Sequence, residues 1–129
     1  MVEIKRAYEA PSRDDGYRVL IDRLWPRGIK KTDLKIDEWI KILAPSAELR
    51  RAFGHDPKRW AMFQARYKSE LRSSEAKEKI RALVERAKNG KVTLIYSAKD
   101  VEHNNAVVLK RMISRKLRTP AKTSKGKRS

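Results

Sequence analysis

Hydrophobic runs separated by polar loops predict three strands along the chain. Val92–Tyr96 joins five β-branched, aliphatic or aromatic residues, which is typical of a strand buried on both faces. Tyr17–Asp22 has the same character, whereas Val2–Tyr8 partly alternates apolar and polar residues, as a half-exposed strand does. We expect the strands at Tyr17–Asp22 and Val92–Tyr96 to be parallel neighbours, because a right-handed crossover places two strands of one sheet in that way.

Apolar residues at helical spacing predict a run of helices before the strand at Val92–Tyr96 and one helix after it. The segment Leu34–Leu43 shows this spacing and is closed by Pro45. The last helix is expected over about Val101–Leu117, with Asp100 as its N-cap. The other predicted helices begin at Ser46, Asp56 and Ser74.

This order of elements predicts an α/β protein. Two strands, a run of helices, one strand and a last helix are typical of a small three-layer fold with a mostly parallel sheet flanked by helices. At 129 residues the chain fits a single domain, which we place at residues 1–117. Residues 118–129 have almost no apolar side chains and are predicted to form a disordered basic tail.

The chain is strongly basic, with 33 Lys and Arg against 16 Asp and Glu and a formal net charge of +17. From Lys110 onward there are nine basic residues and no acidic one. This density of charge attracts polyanions such as DNA or RNA, although it would also serve solubility alone. The residues expected to contact nucleic acid are Arg115, Lys116, Arg118, Lys122, Lys125, Lys127 and Arg128.

The composition limits the cellular compartments and the kinds of chemistry that we expect for this protein. Cysteine is absent, which excludes disulfides, thiolate nucleophiles and Cys-ligated zinc. No segment approaches the ~20 apolar residues of a transmembrane helix, and the N-terminus lacks an apolar signal core, so we expect a cytoplasmic protein with no membrane partner. No metal-binding histidine spacing, phosphate-binding loop or dinucleotide fingerprint is present. We therefore predict neither an obligatory metal nor a cofactor.

Polar residues follow the two strands that we expect to be neighbours. Because the carboxyl ends of parallel strands meet at one edge of a sheet, these residues are expected to share a pocket. Their charges and planar groups suit an anionic, phosphate-bearing small molecule. Tyr96 would stack on a base or donate its phenol there, unless it packs in the core. The residues assigned to ligand binding are Arg23, Trp25, Arg27, Tyr96, Lys99, Asp100 and Asn104.

Two residues of the same rim are candidates for catalysis. His103, predicted in the first turn of the last helix, suits proton transfer because an imidazole titrates near neutrality, although it would also serve as a hydrogen-bonding group at the helix end. Asp22 would orient His103 or hold Arg27, or else pair with Arg23 in a structural role. His55 is a second polar point, which either covers the same pocket or lies on the surface.

Three longer segments stand in order along the chain: YRVLIDRLWPRG, LAPSAELRRAFGHDPKRWAMFQARY and VTLIYSAKDVEHNNAVVL. They resemble the hallmark motifs of the domain-of-unknown-function family 488 in its short YeaO-like branch, and the resemblance covers nearly all of residues 3–113. It implies a small α/β protein with no settled activity. Longer members carry a Cys-His-Arg element near Glu102–Asn105, and because this chain lacks cysteine, only His103 is retained there. The residues within family motifs are Asp22, Arg23, Trp25, Pro26, Arg27, Gly28, Lys99, Asp100, His103 and Asn104.

Three functions fit these observations. The leading hypothesis is a protein with an anion- or phosphate-receptive pocket, whose ligand is a nucleotide or a nucleic-acid end, and with a basic tail that associates with nucleic acid. The first alternative is a hydrolase or transferase on a nucleotide-like substrate, with His103 as acid/base. The second alternative is a nonspecific DNA-packaging protein.

Overall fold

Four parallel strands form one sheet in the computed structural model, which describes residues 1–118. The order across the sheet is β1-β4-β2-β3, and every neighbouring pair is parallel. The backbone N–H of Ile21 donates to the carbonyl of Ile95 at 3.1 Å, so the second and fourth strands end side by side, as the sequence predicts. The strands are β1 (Val2–Arg6), β2 (Tyr17–Leu20), β3 (Glu38–Trp39) and β4 (Val92–Tyr96).

Five α-helices accompany the sheet in the described part of the chain. The capping predicted from sequence is confirmed for the second helix, because the Ser46 side chain accepts a hydrogen bond from the Leu49 N–H. Asp56 likewise caps a single 3-10 turn, Pro57–Arg59, that leads into the third helix. The helices are α1 (Lys31–Leu34), α2 (Ala47–Phe53), α3 (Trp60–Glu70), α4 (Ser74–Asn89) and α5 (Asn105–Arg118).

Apolar side chains cover both faces of the sheet. Val19, Ile21 and Leu94 point to the larger core, which packs against α3, α4 and α5. Leu20 and Ile95 point the other way, into a smaller cluster formed with α1 and the loops beside it. The prediction of an α/β fold with a parallel sheet flanked by helices is confirmed.

The predicted helix over Leu34–Leu43 is wrong. The segment contains the end of α1, the two-residue strand β3 and a single 3-10 turn, Lys41–Leu43. Leu34 and Trp39 pack with the smaller cluster, whereas Ile40 and Leu43 pack in the larger one. The segment passes around the edge of the sheet from one face to the other, and its apolar spacing reflects that passage rather than one helical stripe.

The last helix extends through Arg118, so this residue is helical rather than part of a disordered tail. Residues 119–129, which carry the rest of the predicted tail, lie outside the described residues. The single-domain interpretation of residues 1–117 stays a prediction. None of the helices within residues 1–118 combines the length and the hydropathy needed to cross a lipid bilayer.

Candidate anion-binding site

A cavity of about 890 Å³ lies beyond the carboxyl ends of the strands. The loops that leave β1, β2 and β4 contribute to its lining, and so does the helix α2. The carboxyl edge of a parallel sheet is where α/β proteins usually hold their ligands. The polar segments that follow β2 and β4 in the sequence therefore meet at one cavity.

Cationic side chains dominate the polar part of this lining, with only two carboxylates, Asp22 and Asp100, among the described residues that border it. Within residues 1–118, none of these cations forms an ion pair or a side-chain hydrogen bond, although Arg50 is near enough to Asp22 to favour its ionised form. Their heads are therefore available to an anion. The five cationic residues are Arg23, Arg27, Arg50, Arg51 and Lys99.

Asp22 links three elements at the floor of the cavity. Its carboxylate accepts hydrogen bonds from the Ser97 backbone N–H at 2.9 Å and from Asn105 Nδ2 at 3.1 Å. Asn105 Nδ2 also donates to the Ile21 carbonyl at 3.0 Å, so the end of β2, the end of β4 and the start of α5 are held together. Burial raises the pKa of Asp22, while the hydrogen bonds from Asn105 and Ser97 act in the opposite direction.

The roles predicted for Asp22 rest on contacts that the structure does not contain. Within residues 1–118, Asp22 pairs neither with Arg23 nor with Arg27, and it does not orient His103. Asn105 supplies the partner instead. The Ser97 hydroxyl is buried against the Asp22 carboxylate, yet it meets no partner with good hydrogen-bond geometry among the described residues.

Asp100, rather than Asp22, holds His103. Asp100 Oδ2 lies 2.9 Å from His103 Nδ1, and Oδ1 accepts from the backbone N–H groups of Glu102 and His103. The hydrogen bond from the Glu102 backbone, followed by that from the His103 ring, keeps the pKa of Asp100 below its usual range. The Trp60 ring meets the imidazole edge-on, with 5.2 Å between ring centroids, so the orientation of the imidazole is fixed from two sides.

The predicted start of the last helix is wrong. The helix α5 begins at Asn105, and Asn104 is the residue that caps it, since Asn104 Oδ1 accepts from the Val107 N–H at 3.0 Å. Asp100 instead closes a turn inside the preceding loop. His103 therefore lies in that loop and not in the first helical turn.

The structure brings eight of the nine residues predicted for ligand binding or catalysis to this one cavity. The exception is Tyr96, which is 2% exposed and packs in the larger core instead of lining the cavity. Trp25 lines the cavity, while its indole N–H is already bonded to the Ile29 carbonyl at 2.6 Å. The predicted residues that line the cavity are Asp22, Arg23, Trp25, Arg27, Lys99, Asp100, His103 and Asn104.

The lining residues that were not identified from sequence include two arginines and a tyrosine. Arg50 and Arg51 lie on α2, and a local pattern that explains a capped helix says nothing about which cavity the helix borders. Tyr8 follows β1, which pairs with β4 in parallel. Extending the parallel argument to the first predicted strand would have found Tyr8. His55, which the sequence left open between pocket and surface, also lines the cavity.

The basic residues predicted to contact nucleic acid divide into two groups. Arg115, Lys116 and Arg118 are exposed in the last turns of α5. A second groove of about 420 Å³ lies on the same helix and includes Arg115 and Arg118 in its lining. Lys122, Lys125, Lys127 and Arg128 lie outside the described residues. Over residues 1–118, no group of three or more His, Asp or Glu side chains could hold a metal ion.

The fold and the cavity define a small parallel α/β protein with a cationic pocket at the carboxyl edge of its sheet. The chain belongs to the DUF488 family, because a family model described as "Inactive DUF488-N3 subclade" matches residues 1–129. This agrees with the resemblance carried by the three sequence motifs.

Several relatives are similar over most of their length. The uncharacterised protein YeaO of Escherichia coli strain K12 is 48% identical over 108 residues, which cover 84% of this chain and 92% of that protein. The uncharacterised protein Rv3073c of Mycobacterium tuberculosis H37Rv is 40% identical over 113 residues, or 88% of this chain and 93% of that protein. The uncharacterised protein Mb3100c of Mycobacterium bovis matches to the same extent. No solved structure shows significant similarity to the chain.

Proposed function

We propose that the protein binds phosphate-bearing anions in the cavity at the carboxyl edge of its sheet. One observation carries this proposal: within residues 1–118, five cationic side chains border one cavity without ion-pair partners, against two carboxylates that are already hydrogen-bonded. Like charges held together repel one another, and an anion between them removes that cost. Guanidinium groups also match phosphate oxygens with two parallel hydrogen bonds.

The size of the cavity agrees with a small ligand. A volume of about 890 Å³ falls within the range of roughly 300–1,000 Å³ found for small-molecule sites. The proposal retains the cytoplasmic location expected from sequence.

We favour a protein that binds a phosphate-bearing ligand over an enzyme that converts one. The contact between Asp100 and His103 supports the alternative of a hydrolase or transferase, because an imidazole oriented by a carboxylate is a common acid/base arrangement. The matching subclade is described as inactive, which weighs against turnover. A nucleotide incubated with the protein is therefore expected to be recovered unchanged, and conversion that His103→Ala abolishes would favour the enzyme instead.

Removing both arginines of α2 is expected to weaken binding of inorganic pyrophosphate at least tenfold. Arg50 and Arg51 are exposed and make no side-chain hydrogen bond or ion pair within residues 1–118, so the Arg50→Ala, Arg51→Ala variant should remain folded. Each charge-assisted hydrogen bond that is removed costs about 1.5–3 kcal/mol, which exceeds one factor of ten for the pair. Isothermal titration calorimetry at constant ionic strength measures the change.

The control for this experiment is the Lys77→Ala, Arg81→Ala variant, which also removes two exposed cations, both on α4 and away from the cavity. It should leave the affinity for pyrophosphate within about twofold. Equal losses in both variants would mean that only the net charge of the protein matters. No loss in the α2 variant would contradict the proposed site.

We also propose that the basic C-terminal residues give the protein affinity for nucleic acid. Replacing Lys122, Lys125, Lys127 and Arg128 with Gln is expected to make the salt dependence of duplex binding shallower, by roughly 0.9 in the log–log slope for each phosphate that the variant no longer neutralises. Fluorescence anisotropy with a labelled duplex at several salt concentrations measures this slope.

A matched variant replaces three exposed lysines and one arginine elsewhere with Gln: Lys31, Lys68, Lys77 and Arg81. If both variants change the slope equally, the C-terminal residues have no special role. The DNA-packaging alternative differs in its dependence on duplex length. It requires many copies bound along a long duplex with little sequence preference, whereas a protein that binds nucleic-acid ends saturates with the number of ends.

A further inference from the structure

A partly exposed aromatic ring in the lining of the cavity is held in place by hydrogen bonding. Tyr8 is 48% exposed, yet its hydroxyl donates to the Arg27 carbonyl at 3.0 Å. The Arg6 guanidinium lies 5.1 Å from the centroid of the Tyr8 ring. Arg6 is itself anchored, because it donates to the carbonyls of Ala98 and Ser97 at 2.9 and 3.2 Å. The loops after β2 and β4 therefore fix an exposed ring on the loop after β1.

Trp25 is fixed in a comparable way. Its indole N–H is used by the Ile29 carbonyl, and its ring packs edge-on against Trp39 with 5.5 Å between the ring centroids. Both Tyr8 and Trp25 line the cavity, and in both the polar atom is already bonded to the protein. Both residues have already donated their polar hydrogen to the protein, so what they offer a ligand is mainly aromatic surface. Leu24, 62% exposed, adds an apolar side chain to the same lining.

We infer that the cavity takes a nucleoside phosphate, whose base stacks on Tyr8 while its phosphate meets the cationic residues. This inference rests on the proposed phosphate site and deepens it. A ring fixed before binding loses little conformational entropy when a ligand stacks on it, which makes it a good platform for a flat partner. Base stacking on an aromatic side chain is strong and tolerates every base. Inorganic phosphate has no flat face, and a sugar phosphate lacks the planar base that stacks on the ring.

The experiment compares adenosine 5′-monophosphate with ribose 5-phosphate, which carries the same phosphate and sugar but no base. In calorimetric titrations of the full chain, we expect the nucleotide to bind at least tenfold more tightly. Tyr8→Ala should lower the affinity for the nucleotide about tenfold and bring the two ligands close together. Tyr8→Phe keeps the ring and loses only the hydroxyl, so it should retain most of the preference.

Ile42→Ala serves as the control, since Ile42 is 43% exposed and does not line the cavity. It should leave both affinities unchanged. Equal binding of the two ligands by the wild-type protein, or an unchanged preference in Tyr8→Ala, would overturn the inference while leaving the phosphate site intact. If neither ligand binds, the proposed function itself is wrong, so the two failures are distinguishable.

Discussion

Replacing Asp15 with Ala is expected to lower the free energy of unfolding by about 3–5 kcal/mol, the range seen when one partner of a buried ion pair is removed. Asp15 is 5% exposed, and its carboxylate meets two cations. Arg18 Nη1 donates to it at 2.6 Å and Lys5 Nζ at 3.1 Å. Since Arg18 is only 4% exposed, the substitution would leave its guanidinium buried without a counterion.

Arg18 has no easy way to escape this cost. Its Nη2 donates to the Leu34 carbonyl at 2.7 Å and its Nε to the Lys35 carbonyl at 3.1 Å, where α1 ends. Turning the guanidinium out to solvent would break both hydrogen bonds and leave those carbonyls unpaired. The cost therefore remains whether the side chain stays or moves.

The same cluster predicts an acid-dependent part of the stability. Burial acts to raise the pKa of Asp15, but the Ser12 backbone N–H and the two cations outweigh it, and the pKa lies below its ordinary value. A carboxyl whose pKa is lowered by folding stabilises the protein fully above its unfolded pKa of about 3.9, and this contribution is lost as the pH falls through the folded value. Below about pH 4, the wild-type protein should therefore lose stability more steeply than the Asp15→Ala variant.

Urea denaturation followed by tryptophan fluorescence, at neutral pH and through the acid range, measures both effects. The control is Asp14→Ala, which removes an exposed carboxylate from the same 3-10 turn, Arg13–Asp15. It should change the free energy of unfolding by no more than about 0.5 kcal/mol. Comparable losses in the two variants would show that the charge of the turn matters and the buried cluster does not.

Sequence alone predicts those elements of the fold that are marked by a long, continuous pattern of residues within the element itself. Val92–Tyr96 is buried along its whole length, and a run of five such residues between polar segments suits a strand and is too short for a buried helix. β3 could not be predicted, because it has only two residues and its identity depends on pairing with β2. No pattern inside Leu34–Leu43 reveals that the segment changes from one face of the sheet to the other.

The residues of the candidate site also divide into those that local sequence signals predict and those that depend on packing. Residues at the ends of β2 and β4 could be grouped from sequence, because parallel strands that are neighbours end at one edge. Arg50 and Arg51 could not, since their place at the cavity depends on how α2 packs. Asp22, distant in sequence, was one candidate to orient His103 because both were expected at the same rim, whereas Asp100 reaches the imidazole from three residues away.

Replacing Gly16 with Ala is expected to lower the free energy of unfolding by about 4 kcal/mol. Gly16 has φ +65° and ψ −133°. A residue that carries a Cβ is strained by roughly 1–3 kcal/mol in this backbone conformation. A Cβ there would also lie 2.3 Å from the Lys91 carbonyl oxygen. That oxygen accepts the Tyr17 N–H at 2.9 Å, so moving it away disturbs the start of the pairing between β2 and β4.

The Gly28→Ala variant measures the cost of backbone strain without a steric clash. Gly28 has φ +82°, but no atom of the described residues lies within 4 Å of the Cβ that it would gain. This variant should lose only about 1 kcal/mol, the cost of the backbone conformation alone. Chemical denaturation of both variants gives the comparison. If both variants lose the same free energy of unfolding, the backbone at Lys91 moves away from the new Cβ at little cost. The starts of β2 and β4 are then not held rigidly.

The position of Gly16 also allows stability and binding to be separated. Gly16 precedes β2, whereas the cavity lies beyond the carboxyl end of that strand, and Gly16 is not among the lining residues. At a temperature where Gly16→Ala remains folded, its affinity for pyrophosphate should therefore match that of the wild-type protein. A large loss of affinity in the folded variant would show that the two ends of the sheet are coupled, so that a shift where the strands begin displaces the cationic residues where they end.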